Sequence, residues 1–329
     1  MSNHNFKVLV VEDEVNISDY ITSVFTAIDD RVEVTIAGSR DQAFDILNDS
    51  NQFFDFITLD LKIPVDTDSF EKSPQHGLAV LGRCTVMAKG TPLLIFTGTS
   101  TVDMITDFLA SSHNLDVWYE GRSRPTIDHL PKTKMNEFRE KVTGIVNAVL
   151  NLSDIELNYS SDSLPVEHDR LIRIFTKSQG GTSAVVNKVG GGLSAAKVYS
   201  VHVKNENGKT VHIAISKCGP MADIDKDALN YDSKINRLRP EITPRKLQHI
   251  KFAAKLNSGV FYGLATDYNR SFFKSVEEDV ITIEIRKFIF SMMDKWHDTS
   301  LQKRVSIKTI RQNLVDDETS ELLKEQYGL

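Results

Sequence analysis

The chain has 329 residues, with 39 Lys+Arg against 45 Asp+Glu and a formal net charge of −6. That length accommodates two cores, and the mildly acidic balance argues against nonspecific nucleic-acid binding by the chain as a whole, leaving room only for a local basic patch. Cys84 and Cys218 are the only cysteines, which excludes a disulfide framework and suits a reducing compartment. No apolar stretch reaches the ~20 residues needed to cross a bilayer, and residues 1–7 carry no signal-type apolar region. A soluble, cytoplasmic protein without membrane partners is expected.

The first apolar run, residues 8–11, is followed by Glu12, Asp13 and Glu14. Residues 16–28 then carry Ile17, Tyr20, Ile21, Val24, Phe25 and Ile28 at helical spacing. Residues 32–36 read as a second strand, and Ser39 is placed to cap a helix that runs to Leu47. A third strand over residues 54–59 ends at Asp60. A helix over residues 77–88 follows, then a strand over 92–97 that ends in Thr97, then a helix over 101–110. Residues 127–130 form a weaker strand that stops at Pro131-Lys132, and residues 136–150 form a long amphipathic helix. Five such strand–helix units predict an α/β fold with a doubly wound, five-stranded parallel sheet.

Strand ends on one edge of such a sheet face a common crevice. Glu12, Asp13 and Asp60 are therefore expected to converge there. Clustered carboxylates repel unless a cation lies between them, and an all-oxygen ligand set suits a hard ion such as Mg²⁺.

Taken together, Glu12, Asp13, Asp60, Thr97 and Lys132, each at the end of the expected strand, make residues 5–152 resemble the receiver domain of two-component response regulators. The resemblance implies a flavodoxin-like fold with Asp60 as phospho-acceptor. It also implies Mg²⁺ held by Asp13, Asp60 and, through water, Glu12, with Lys132 and the Thr97 hydroxyl on the phosphoryl oxygens. A sensor histidine kinase is the implied phosphoryl donor. His129 stands where the family usually has an aromatic switch residue, partnered with Thr97. Two long insertions, residues 65–76 and 111–126, are expected to stand over the same crevice.

Residues 153–167 are polar and serine-rich and read as a linker between a first domain (1–152) and a second (168–329). In the second, residues 170–175, 184–189, 197–203, 211–217, 249–256 and 260–265 read as strands of an antiparallel sheet. Residues 224–238 and 277–296 read as helices. Gly190, Gly191, Gly192 and Ser194 form a glycine loop between two strands, with Lys217 on the next strand and Asp227 on the following helix. That order resembles the N-lobe of protein kinase-like and aminoglycoside phosphotransferase-like folds over residues 168–268. The resemblance implies ATP phosphates on the glycine loop and Lys217, with Asp227 as the lysine's partner. No His-Arg-Asp loop or Asp-Phe-Gly follows, and too few residues remain after Asp267 for a catalytic lobe of ~100 residues or more. A complete phosphotransferase is therefore not expected.

The expected function is a response regulator in which phosphorylation of Asp60 switches a second domain that does not bind DNA toward a downstream protein. The alternatives are a nucleotide-binding phosphotransferase-like protein using Lys217, and a degenerate receiver acting as a constitutive interaction module. Nucleic acid is not an expected partner, and a homodimer is left open.

Overall fold

In the computed structural model the described residues are 5–98, 102–159, 164–189, 195–235 and 243–264, with 278, 282–287, 290 and 291. Those up to Ser233 and from Pro244 to 264 belong to one compact unit. In the second unit, Lys234–Thr243 with Arg270–Leu329, residues 283–287 are helical, inside the stretch expected to be so. No helix among the described residues is long and apolar enough to cross a membrane.

The first part of the chain runs β1 (Phe6–Val11), α1 (Val15–Thr26), β2 (Val32–Ala37), α2 (Arg40–Asn48) and β3 (Phe56–Leu59). It continues through the short strands β4 (Ile63–Pro64) and β5 (Lys72–Ser73) to α3 (Pro74–Met87), β6 (Leu93–Thr97) and α4 (Val102–Ala110). A second short pair, β7 (Asn114–Leu115) and β8 (Arg124–Pro125), precedes β9 (Ile127–Pro131) and α5 (Met135–Ser153). The five longer strands form one sheet in the order β2-β1-β3-β6-β9, with every neighbouring pair parallel. This is the flavodoxin-like doubly wound order. Both faces are covered, so the strands are apolar on both sides. Val8, Val10, Leu94 and Phe96 pack with Phe25 of α1 and Phe138 of α5. Leu9, Ile57, Leu59 and Ile95 face Leu47, Val80 and Leu81 on the other side. Ser39 caps α2 as expected, its Oγ accepting from Gln42 N at 3.3 Å.

The second part runs β10 (Glu156–Tyr159), α6 (Val166–Ser178), β11 (Ser183–Val189), β12 (Lys197–Lys204), β13 (Thr210–Pro220), α7 (Met221–Ser233), β14 (Lys246–Ile250) and β15 (Asn257–Gly263). These strands form a six-stranded sheet in the order β10-β11-β12-β13-β15-β14, antiparallel except for the parallel pair β10–β11.

Three expectations need correction. Residues 170–175 lie in helix α6 rather than in a strand. Residues 168–176 are all buried, and the cationic residues that interrupt the apolar pattern, Arg170 and Arg173, are themselves buried in ion pairs. With no polar stripe left to show a period of 3.6, the run mimics a strand. Within the expected linker, residues 156–159 pair with β11 as an edge strand. The last antiparallel pair is also displaced, because residues 251–256 form a turn against the first sheet's layer. Gly90 N donates to Lys255 O at 2.7 Å, Ala253 N donates to Gly90 O at 2.6 Å, and Lys255 Nζ reaches the carbonyls of Asp49 and Gln52. Gly90 is required there, since a Cβ would lie 2.7 Å from Lys255 O.

One hydrophobic cluster runs continuously from the parallel sheet through α5 and α6 into the second sheet. Leu152, Leu171, Phe175, Val201 and Phe261 are all fully buried in it. Phe175 and Phe261 stack with ring centroids 4.1 Å apart.

Candidate functional site

Glu12, Asp13 and Asp60 do converge. Parallel pairing of β1 with β3 sets Val11 beside Leu59, so the residues that follow these strands emerge together. Asp60 N donates to Val11 O at 2.9 Å and fixes that junction. One ligand oxygen from each of the three carboxylates lies within 4.8 Å of the others.

Two lysines meet these acids. Lys132 follows β9, whose register with β6 places Pro131 beside Thr97. Its side chain runs past Gly98. The ammonium lies 2.6 Å from Asp60 Oδ2 and 2.7 Å from Glu12 Oε2. The other Asp60 oxygen, Oδ1, accepts from Lys62 N at 3.1 Å, so both oxygens of that carboxylate are held. Lys72, on the insertion between β3 and α3, lies 2.5 Å from Asp13 Oδ2 and 3.5 Å from Glu14 Oε1.

Burial pushes the Glu12 carboxyl up to about 7, against the opposing pull of Lys132 and with help from the Asp60 charge. Burial alone would lower Lys132, but the Asp60 and Glu12 carboxylates outweigh it and leave the ammonium raised. With Glu12 protonated, the pocket balances the charges of Lys72 and Lys132 against those of Asp13 and Asp60.

The donor set fits a hard divalent cation. It is all oxygen, and Asp13 Oδ1 is a buried oxygen without a hydrogen-bond partner, whereas buried polar atoms are normally satisfied. Asp13, Asp60 and Glu12 would hold the ion.

Thr97 is fully buried at the end of β6, paired across the sheet with Pro131, the residue before Lys132. His129 is half-buried on β9 opposite Ile95, and burial lowers its imidazole from the ordinary value.

The two insertions go to opposite ends of the sheet. The first, between β3 and α3, lies at the crevice and forms the β4–β5 ribbon, held by Asp41 N to Val65 O at 3.0 Å and by His76 Nδ1 to Ile63 O at 2.9 Å. Gly77 seats the start of α3 on the residue after Asp60, where a Cβ would lie 2.3 Å from Leu61 backbone atoms. The expectation that residues 111–126 share this crevice is corrected. A segment that leaves a helix and enters a parallel strand lies at the amino edge, and Thr126 O accepts there from Leu93 N, the first residue of β6. This insertion packs instead against the second sheet's layer. Val117 and Trp118 enter the continuous core, Glu120 pairs with Lys177, and Tyr119 bonds to Gln248.

Lys72 is the site residue that sequence reasoning missed. Its one signal was being the only lysine or arginine in residues 65–76.

Of the residues expected to bind nucleotide, Gly190, Gly191, Gly192 and Ser194 lie outside the described residues. Lys217 does pair with Asp227 of α7. It lies on the less buried face of β13, since Ala214, Ser216 and Cys218 supply the core face.

No protein-family model matches this chain, and no curated protein matches it. Among solved structures it is similar to a response regulator receiver domain protein (CheY-like) from Methanospirillum hungatei JF-1, at 17% identity and a TM-score of 0.30, covering 44% of this chain and 98% of that one. It is also similar to the receiver domain of the sensor histidine kinase PA1611 from Pseudomonas aeruginosa PAO1, described with a magnesium ion coordinated in its active site cleft. Identity there is 16% and the TM-score 0.29, covering 43% of this chain and 99% of that one. The chemotaxis response regulator CheY4 of Vibrio cholerae matches at 20% identity and a TM-score of 0.31, covering 44% of this chain and 99% of that one. The flavodoxin-like fold of the parallel sheet rests on its strand order, and the acids and lysine gathered at its carboxyl edge form the candidate site.

Proposed function

We propose that the parallel unit is a phosphoryl-accepting receiver, with Asp60 as acceptor and the rest of the chain as its output. The observation that carries this reading is the Lys132 ammonium, shared between Asp60 and Glu12 across the ends of β1, β3 and β9. It pairs with Asp60 at 2.6 Å and stands ready to meet a phosphoryl oxygen.

In the proposed step an Asp60 oxygen attacks phosphorus, the P–N bond of a donor phosphohistidine breaks, and the imidazole leaves with the electron pair. A divalent cation on Asp13, Asp60 and Glu12 supplies charge neutralisation for the transferred group. Lys132 pairs with one phosphoryl oxygen and Thr97 donates to another. Burial of Glu12 and Asp60 keeps the field strong, because few waters screen it.

The donor in this reading is a sensor histidine kinase. The second sheet with α6 and α7 acts as a protein-interaction output and not as a phosphotransferase. Its support is the continuous core that ties it to α5, the helix that follows the Lys132 strand.

Incubation of the full chain with acetyl phosphate and Mg²⁺, followed by intact-mass measurement, tests the reading. Wild type gains one phosphoryl group and Asp60→Asn gains none. Equal labelling of the two proteins, or no labelling of wild type, overturns it.

A further inference from the structure

The crevice insertion brings its own cation to the acid cluster. Lys72 is the first residue of β5, and its backbone is fixed by pairing with Pro64 across the ribbon. From there Nζ reaches Asp13 Oδ2 at 2.5 Å and Glu14 Oε1 at 3.5 Å. Asp13 is nine-tenths buried, and its second oxygen has no hydrogen-bond partner. One carboxylate thus offers one oxygen to the insertion and leaves the other, buried, without a hydrogen-bond partner. An ammonium 2.5 Å from Asp13 Oδ2 and a divalent cation on the same carboxylate repel one another strongly at that range.

We propose that Lys72 is a tethered counter-ion that a divalent cation must displace from Asp13, so that occupation of the site releases the β4–β5 ribbon. This rests on the reading of Glu12, Asp13 and Asp60 as a cation site. Lys72 therefore sets cation affinity and links cation binding to the exposed loop of residues 66–71. That loop is closed by Asp66 Oδ1, which accepts from Asp68 N and Ser69 N, and it presents a fully exposed Phe70. The segment that a docking partner would meet above Asp60 is thereby positioned differently in the cation-free and cation-loaded proteins.

Calorimetric titration of the full chain with MgCl₂ and MnCl₂, on wild type, Lys72→Met, Lys72→Arg and Asp13→Asn, reads the competition directly. Lys72→Met binds roughly three- to tenfold more tightly than wild type, because a partly exposed ion pair no longer competes. Lys72→Arg keeps the charge and stays within about twofold. Amide hydrogen exchange on wild type needs no variant, and protection at residues 66–73 falls when Mg²⁺ saturates the site.

Unchanged or weaker binding by Lys72→Met, or unchanged exchange at residues 66–73, overturns the proposal. If binding is meanwhile lost in Asp13→Asn, the cation site itself stands. If Asp13→Asn binds as wild type does, the cation site fails and this proposal fails with it.

Discussion

Arg170 and Asp55 form an ion pair 2.7 Å long with both side chains shut away from solvent, and it joins helix α6 to the residue before β3. The same Asp55 accepts from Lys7 N at 2.9 Å, so it also holds the start of β1. The two sheets are therefore tied by charge as well as by the apolar cluster around Phe175.

Removing one partner of this pair leaves an uncompensated buried charge. Arg170→Ala is expected to lower unfolding free energy by about 3–5 kcal/mol. Glu33→Ala removes an ion pair with Lys7 whose side chains are about half exposed, and costs less than about 1 kcal/mol. Urea denaturation of the three proteins decides the matter, and similar midpoints for all three would show that the buried pair does not hold the sheets.

Lys132 does two jobs in the cation-free protein, compensating Asp60 and Glu12 at once. Lys132→Ala is expected to lose about 2–4 kcal/mol in EDTA, since two buried carboxyl groups lose their cation. Saturating Mg²⁺ restores part of that loss, because a divalent charge replaces the ammonium. Thermal midpoints in EDTA and in Mg²⁺ measure both effects, and a loss that Mg²⁺ does not lessen contradicts this account of the site.

The Glu12 carboxyl, pushed up to about 7 by burial, gives a pH dependence of definite sign. Below that value Glu12 is protonated and adds no charge to the cation site; above it the carboxylate forms. Mg²⁺ affinity therefore rises as pH rises through about 7.

The folded protein also holds this proton more tightly than the unfolded chain, whose Glu titrates near 4.5. In EDTA the contribution of Glu12 to stability is fully present below about 4.5 and is lost as pH climbs through about 7, on the order of 3–4 kcal/mol. Glu12→Gln removes both trends. Calorimetric Mg²⁺ titration and chemical denaturation across pH 5 to 8 test them, and a flat wild-type profile refutes the assignment.

Much of the parallel sheet was legible from the chain. Residues 8–11 are apolar at every position and 54–59 at all but Asp55 and Thr58, as suits strands covered on both faces, and acids directly after them had only one edge on which to meet. Helix α6 was not legible, because its polar positions are spent on the buried partners Asp55 and Asp169. The insertion at residues 111–126 was misplaced by reading its length and composition without its position, since it follows a helix and so lies at the amino edge.

The sequence by itself determined that Glu12, Asp13, Asp60, Thr97 and Lys132 share one edge, because strand ends in a parallel repeat cannot do otherwise. Only the tertiary structure decided that Lys72 reaches Asp13, that Arg170 reaches Asp55, and that a second sheet closes the amino edge. Those contacts join residues far apart in the chain through insertions and packed helices, and no local periodicity encodes where such segments come to rest.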